Sequence, residues 1–283
     1  MESWTKTIYP FDRGSPATEL ARLSHLHFNI WVPLTGGKLV PSHIADALEK
    51  SPEPRVADIA TGNGVWLTSI AQQLPHHAEL YGFDIDPTKF PTAEPNMSFQ
   101  QHDLLHPFPE HLQGTFDLVH VRLLYFALKA DEWAPAIRQA TTLLKPGGWI
   151  LWEEMGHMSV RLFPPSKALE EFWRAYMLHN QTKGRDMMMP YHLLGTFKRS
   201  NLTECDEKMW LSWGAELPAG AAPVLTLSMN SMMAAIIEDG GMETIQTVAD
   251  MKRLGDIILQ EIDKGAQFGF DWRWVWGRRP LTN

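Results

Sequence analysis

From Pro54 to about Met155 the chain alternates short apolar, β-branched runs with stretches of helical spacing. That is the pattern of parallel strands joined by crossover helices, so an α/β fold is predicted. Strands are predicted at Arg55–Ala60, Glu79–Phe83, Met97–Gln101, Phe116–Val121 and Trp149–Glu153. Between them, Val65–Leu74 and Trp133–Leu144 have helical composition, and the Lys145-Pro-Gly-Gly148 run stops the second. The spacing predicts five βα units with short connections.

The rhythm differs on either side. Before the sheet, "TELARLSHLHFNIWVPL" carries a helical pattern rich in aromatic and apolar residues, placed to pack over the sheet's working edge. After Met155, "SKALEEFWRAYMLHNQTKG" and "ETIQTVADMKRLGDIILQEIDKG" read as amphipathic helices, while "DMMMP" and "SMNSMMAAII" are rich in methionine. The terminal "QFGFDWRWVWGRRP" alternates aromatic and polar residues and reads as a strand. The expected organisation is a helical cap at 1–50, a sheet core at 51–155, a helical lid with late core elements at 156–266, and a terminal strand at 267–283 completing the sheet.

Composition narrows the function. A net charge of −8 and the absence of any Lys/Arg cluster give no footprint for nucleic acid. The single Cys205 excludes an intramolecular disulfide and a cysteine metal cluster, and suggests a reducing, cytoplasmic setting; no metal is expected. The first residues lack a basic then apolar leader, and no apolar window is long enough to span a bilayer, so neither secretion nor membrane insertion is expected.

In such a sheet a ligand sits beyond the carboxyl ends of the strands, and the first strand-to-helix turn approaches it most closely. Here that turn is Ala60-Thr-Gly62-Asn-Gly64, whose glycines let backbone come near the ligand. It lacks the third glycine of a dinucleotide fingerprint. Asp84 and Asp86, at the end of the second predicted strand, lie where a carboxylate accepts hydrogen bonds from ribose hydroxyls. His102 and Asp103 end the third, where Asp103 could meet an adenine amino group. Acids at successive strand ends suit a cationic adenosyl ligand and repel a pyrophosphate.

The landmarks "VADIATGNGVWL", "LYGFDID", "FQQHDLL", "FDLVHVRLL" and "LLKPGGWILWEE" resemble the successive motifs of class I S-adenosylmethionine-dependent methyltransferases. The flanking "ELARLSHLHFNIW", "GGKLVP" and "WVWGRRP" are similar to fungal secondary-metabolism methyltransferases and related regulators. The resemblance implies a Rossmann-like sheet with an N-terminal helical cap, a helical insertion before the last strands, and S-adenosyl-L-methionine as cofactor. It also implies that Asp58, Thr61, Gly62 and Gly64 surround the methionine part, that Asp84 holds the ribose, and that Ile85 packs on the adenine. Asp103 would meet the adenine amino group with His102 and Leu104 nearby, and His120, Val121 and Arg122 would close the pocket. Ala60 departs from the glycine usual at its position.

A sulfonium methyl is already activated, so transfer needs alignment, exclusion of water and at most a base. An oxygen of a hydrophobic small molecule is the expected acceptor, with nitrogen or sulfur as alternatives. The candidate bases are His157, just past the fifth predicted strand, His27 in the cap and His120 after the fourth strand, with Glu153 or Glu154 to orient a histidine or hold an amine. The Asn/Asp-Pro-Pro-Tyr signature of nucleobase methylation is absent after "HVRLL". The Met, Trp and Phe between Gly156 and Gly241 suit an adaptable apolar pocket. Two rival readings share these residues: an enzyme that binds the cofactor yet catalyses a cyclisation or rearrangement, and a methyltransferase-like regulator that works through protein partners.

Overall fold

Three strands of the chain are apolar on both faces, and they form the centre of the sheet. These are β1 (Arg55–Ile59), β4 (Phe116–Arg122) and β5 (Leu144–Phe163). Val56, Ala57, Leu118, Val119, Val121, Ile150 and Leu151 have no exposed surface. Strands buried on both faces need such continuous apolar runs, because helices cover a parallel sheet from both sides.

The computed structural model describes residues 16–92, 94–213 and 221–281, without the side chains of 16–17, 157–159 and 221–225. With β2 (Glu79–Asp84), β3 (Met97–Gln101), β6 (Thr203–Leu211) and β7 (Gln267–Arg278), the strands form one seven-stranded sheet in the order β3-β2-β1-β4-β5-β7-β6. β1 pairs in parallel with β2 on one side and β4 on the other, so the chain changes direction of winding between β1 and β4. β7 runs antiparallel between β5 and β6.

Two predicted crossovers are helical: α4 (Val65–Ala71) follows β1, and α5 (Trp133–Leu143) joins β4 to β5. The expectation of five βα units is corrected at the other two, where β2 to β3 and β3 to β4 contain only single 3-10 turns, Pro87–Lys89 and Glu110–Leu112. Pro87, Pro91 and Pro95 crowd the first connection and Pro107 and Pro109 the second. Each removes a backbone donor that a longer helix would need.

The cap comprises α1 (Pro16–Leu26), a π-helical turn His27–Trp31, α2 (Val32–Leu34) and α3 (Ser42–Lys50); residues 1–15 of the expected 1–50 segment lie outside the described residues. Trp31 stacks on Trp272 of β7, with ring centroids 4.0 Å apart and planes 14° from parallel, which fixes the cap to the sheet. The stretch after Met155 holds α6 (Lys167–Thr182), α7 (Met189–Arg199), α8 (Ala221–Glu238) and α9 (Val248–Asp263), and also the edge strand β6, which the sequence pattern did not indicate. No helix among the described residues is long and apolar enough to cross a membrane.

Candidate functional site

The turn after β1 is built from residues in the left-handed backbone region: Ala60 at φ +55°, Gly62 at φ +56° and Gly64 at φ +69°. Ala60 therefore sits where glycine is preferred, a strain of about 1 kcal/mol. Gly62 approaches the cap, since an added Cβ would lie 3.1 Å from Leu23. Gly64 instead packs inward, its added Cβ meeting Phe99 and Pro91 at 3.0 Å. Asn63 ties the turn to the cap by donating to the Leu20 carbonyl at 3.2 Å and to Ser24 Oγ at 2.8 Å.

Asp84 closes the turn from β2. Its two oxygens accept from the Gly62 N–H at 2.7 Å and the Asp86 N–H at 3.0 Å. Burial nevertheless raises its pKa above the usual carboxylate value, the backbone donors opposing that rise. Asp103 accepts from the Leu105 N–H at 2.9 Å and pairs with His106 Nδ1 at 3.0 Å, so it also shapes the turn after β3. His102 donates through Nε2 to the His106 carbonyl at 3.2 Å and stacks on Phe108 at 4.0 Å.

These groups open onto a cavity of about 350 Å³ at the carboxyl ends of β1, β2, β3 and β4, with Met155 of β5 in its wall. Of the residues expected to hold the cofactor, Ala60, Thr61, Gly62, Asp84, Ile85, His102, Asp103, Leu104 and Arg122 line it. Asp58, Gly64 and His120 are placed behind that lining. His120 is wholly buried, face to face with Trp66 at 3.6 Å, and its Nδ1 bonds Asp58 Oδ1 at 2.7 Å. Thr61 Oγ1 donates to the other Asp58 oxygen at 2.6 Å. On its far side His120 Nε2 is 3.4 Å from Glu153, an ion-pair distance without a formed hydrogen bond. Burial alone would lower the His120 pKa, but the two flanking carboxylates outweigh it and hold the pKa above the ordinary histidine value.

Of the catalytic candidates with described side chains, neither His27 nor Glu154 lines the cavity. His27 is fully buried: its Nδ1 accepts from Arg122 at 3.1 Å, so Nε2 carries the proton and donates to Ser69 Oγ at 2.9 Å. Burial and the adjacent Arg122 charge push its pKa down to about 3, so it is neutral at ordinary pH with both nitrogens engaged. Glu154, also without exposed surface, accepts through Oε1 from the Leu124 N–H and the Trp152 indole N–H, both at 2.9 Å. Burial raises its pKa to about 8, so it is a neutral acid that braces the segment after β4. His157 lies within β5 but its side chain falls outside the described residues.

Sequence reasoning missed several wall residues. Glu19 and Arg22, a buried bidentate pair one helical turn apart on α1, face the cavity, as do Ser228 of α8 and Leu124, Phe126 and Leu128 after β4. For the pair on α1 the visible signal was two opposite charges in an otherwise apolar helical stretch, and Met232 of α8 comes from the methionine-rich run already read as suited to an apolar pocket. Among the described residues no group of three or more histidines, cysteines and carboxylates could hold a metal ion.

A Rossmann-like sheet with an antiparallel penultimate strand, a glycine turn after β1 and an acid at the end of β2 defines the class I methyltransferase fold. Residues 37–208 match the family model described as a methyltransferase domain, and the chain belongs to that family, whose methyl donor is S-adenosylmethionine. The chain is similar to Methyltransferase grgD of Penicillium sp., with 29% identity over 261 residues that cover 88% of this chain and 89% of the relative. It is also similar to the N-methyltransferase tcpN of Claviceps purpurea (strain 20.1), with 34% identity over 143 residues covering 49% of this chain and 50% of that one. Its fold is like that of the plantazolicin methyltransferase BpumL, solved in complex with SAH, at a TM-score of 0.51 and 12% identity over 96% of this chain and 93% of that one.

Proposed function

We propose that the protein transfers the methyl group of S-adenosylmethionine to a nucleophilic heteroatom of a hydrophobic small molecule. One observation carries this reading: a single cavity whose wall is polar where β2 and β3 end, at Asp84 and Asp103, and apolar where Trp31, Phe126, Met155 and Met232 converge. A cationic adenosyl donor and an apolar acceptor call for such a division.

The residues fit the donor. Each Asp84 oxygen accepts one backbone N–H and keeps a lone pair for a ribose hydroxyl. Gly62 offers bare backbone, and Ile85 and Leu104 supply apolar surface for the adenine. When bound, the donor supplies an activated methyl group. The chain's own contribution is then to orient the acceptor and keep water out.

Oxygen and nitrogen acceptors make different demands. A hydroxyl needs a base, whereas a neutral amine brings its own lone pair. Of the candidates with described side chains, His27 and Glu154 are withdrawn from the cavity, and a nitrogen acceptor needs neither. The name of the tcpN relative points the same way.

Mass spectrometry of the protein incubated with S-adenosylmethionine and a panel of hydrophobic amines and phenols tests the proposal; we expect S-adenosylhomocysteine to accumulate together with a methylated amine. Bound cofactor that yields no S-adenosylhomocysteine with any acceptor would argue against methyl transfer. Asp84→Ala should weaken S-adenosylhomocysteine binding by about 1–3 kcal/mol in calorimetry, and unchanged affinity would remove the ribose from that position.

A further inference from the structure

The cavity wall holds four permanent cations, and three of them have a close carboxylate. Arg22 grips Glu19 in a fork at 2.7 Å, Lys89 lies 3.3 Å from Asp86, and Lys129 lies 3.7 Å from Glu132. Arg122 is the exception. Its nearest carboxylate among the described residues is Glu153 at 4.0 Å, and that group sits closer to the imidazole of His120, at 3.4 Å. The direct hydrogen-bond partner of the Arg122 guanidinium is the neutral ring of His27 at 3.1 Å. Asp58 adds only a longer-range attraction, its two oxygens being bonded to His120 and Thr61.

Arg122 is thus held at one nitrogen and by one distant charge, with the rest of its planar fork on a largely apolar cavity wall. A guanidinium in that state gains most from a planar, singly charged acceptor that takes two parallel N–H bonds. A phosphate would bring a second negative charge toward Glu153, Asp84 and Asp103, which a carboxylate avoids.

We propose that Arg122 is a carboxylate receptor of the cavity, poised by His27 on one side and Glu153 on the other. The proposal rests on the adenosyl reading of the site and deepens it. Two ligands could bring the carboxylate, the amino-acid end of the cofactor or the acceptor itself.

Calorimetry on the full chain separates them without relying on a buried substitution alone. Wild-type protein is titrated with S-adenosylhomocysteine and with its carboxamide, in which the carboxylate is capped. A preference of tenfold or more for the free acid, lost in Arg122→Met and reduced in Arg122→Lys, places the cofactor's carboxylate there. If the two forms bind wild type equally, benzoate is titrated into the S-adenosylhomocysteine complex; binding that Arg122→Met abolishes assigns the receptor to the acceptor. Should Arg122→Met bind neither adenosyl ligand, Arg122→Lys alone decides, and a preference as strong as that of wild type overturns the proposal. Equal binding of acid and carboxamide together with no benzoate binding also overturns it. Failure of wild-type protein to bind either adenosyl ligand would instead overturn the reading of the site.

Discussion

At the scale of single residues, burial decides which ionisable groups remain available to chemistry. His27 and Glu154 are the types a proton transfer would use, yet the first is held neutral between Arg122 and Ser69 and the second is a protonated brace behind Leu124. Glu154 has a further consequence for stability. Folded, it keeps its proton up to about pH 8, whereas an unfolded glutamate loses it near its ordinary value of 4.5. Unfolding therefore releases a proton between those values, so its contribution to stability falls as pH rises through the window and levels off above it. Glu154→Gln removes that dependence while keeping an oxygen for the Leu124 and Trp152 donors. Thermal melts at pH 5, 6.5, 8 and 9 should show the variant gaining on wild type up to pH 8 and holding a constant difference beyond, at no more than about 1.4 kcal/mol per pH unit. A difference independent of pH would mean that the carboxyl is ionised in the fold.

At the scale of elements, glycines place the sheet against its turn. Gly82 of β2 pairs with Phe99 of β3, and a Cβ there would lie 2.5 Å from the Phe99 ring and 3.0 Å from Thr61 Cγ2. Gly82→Ala should cost about 1–3 kcal/mol in urea denaturation and weaken S-adenosylhomocysteine binding, because the displaced ring presses on the turn; an unchanged midpoint would mean Phe99 can move aside freely. The elements most legible in the sequence were those whose hydrophobic pattern matches their burial, notably β1, β4 and α5. β6 was hidden because it lies at the sheet edge, where Glu204, Asp206, Glu207 and Lys208 break the alternation and pairing with β7 supplies the order. The same division holds for the site. Gly62 and Asp84 were readable because a backbone turn and a strand end locate them, while Glu19, Arg22 and Met232 reach the cavity only through packing of α1 and α8.

At the scale of the whole molecule, the cap and the sheet are joined by aromatic surface. Trp31 meets Phe270 edge-on at 5.7 Å as well as stacking on Trp272, and all three rings are buried. Trp31→Ala should lower stability by about 3–5 kcal/mol and expose the segment between residues 16 and 50 to limited proteolysis ahead of the core; simultaneous cleavage of cap and core would show that they open together.

That stack also bears on how the chain is made. About 240 residues separate Trp31 from Trp272, so the π-helical turn that carries Trp31 must wait for all of them to be made before its ring finds its partner. Until then the crevice that receives the ligand stands without its roof.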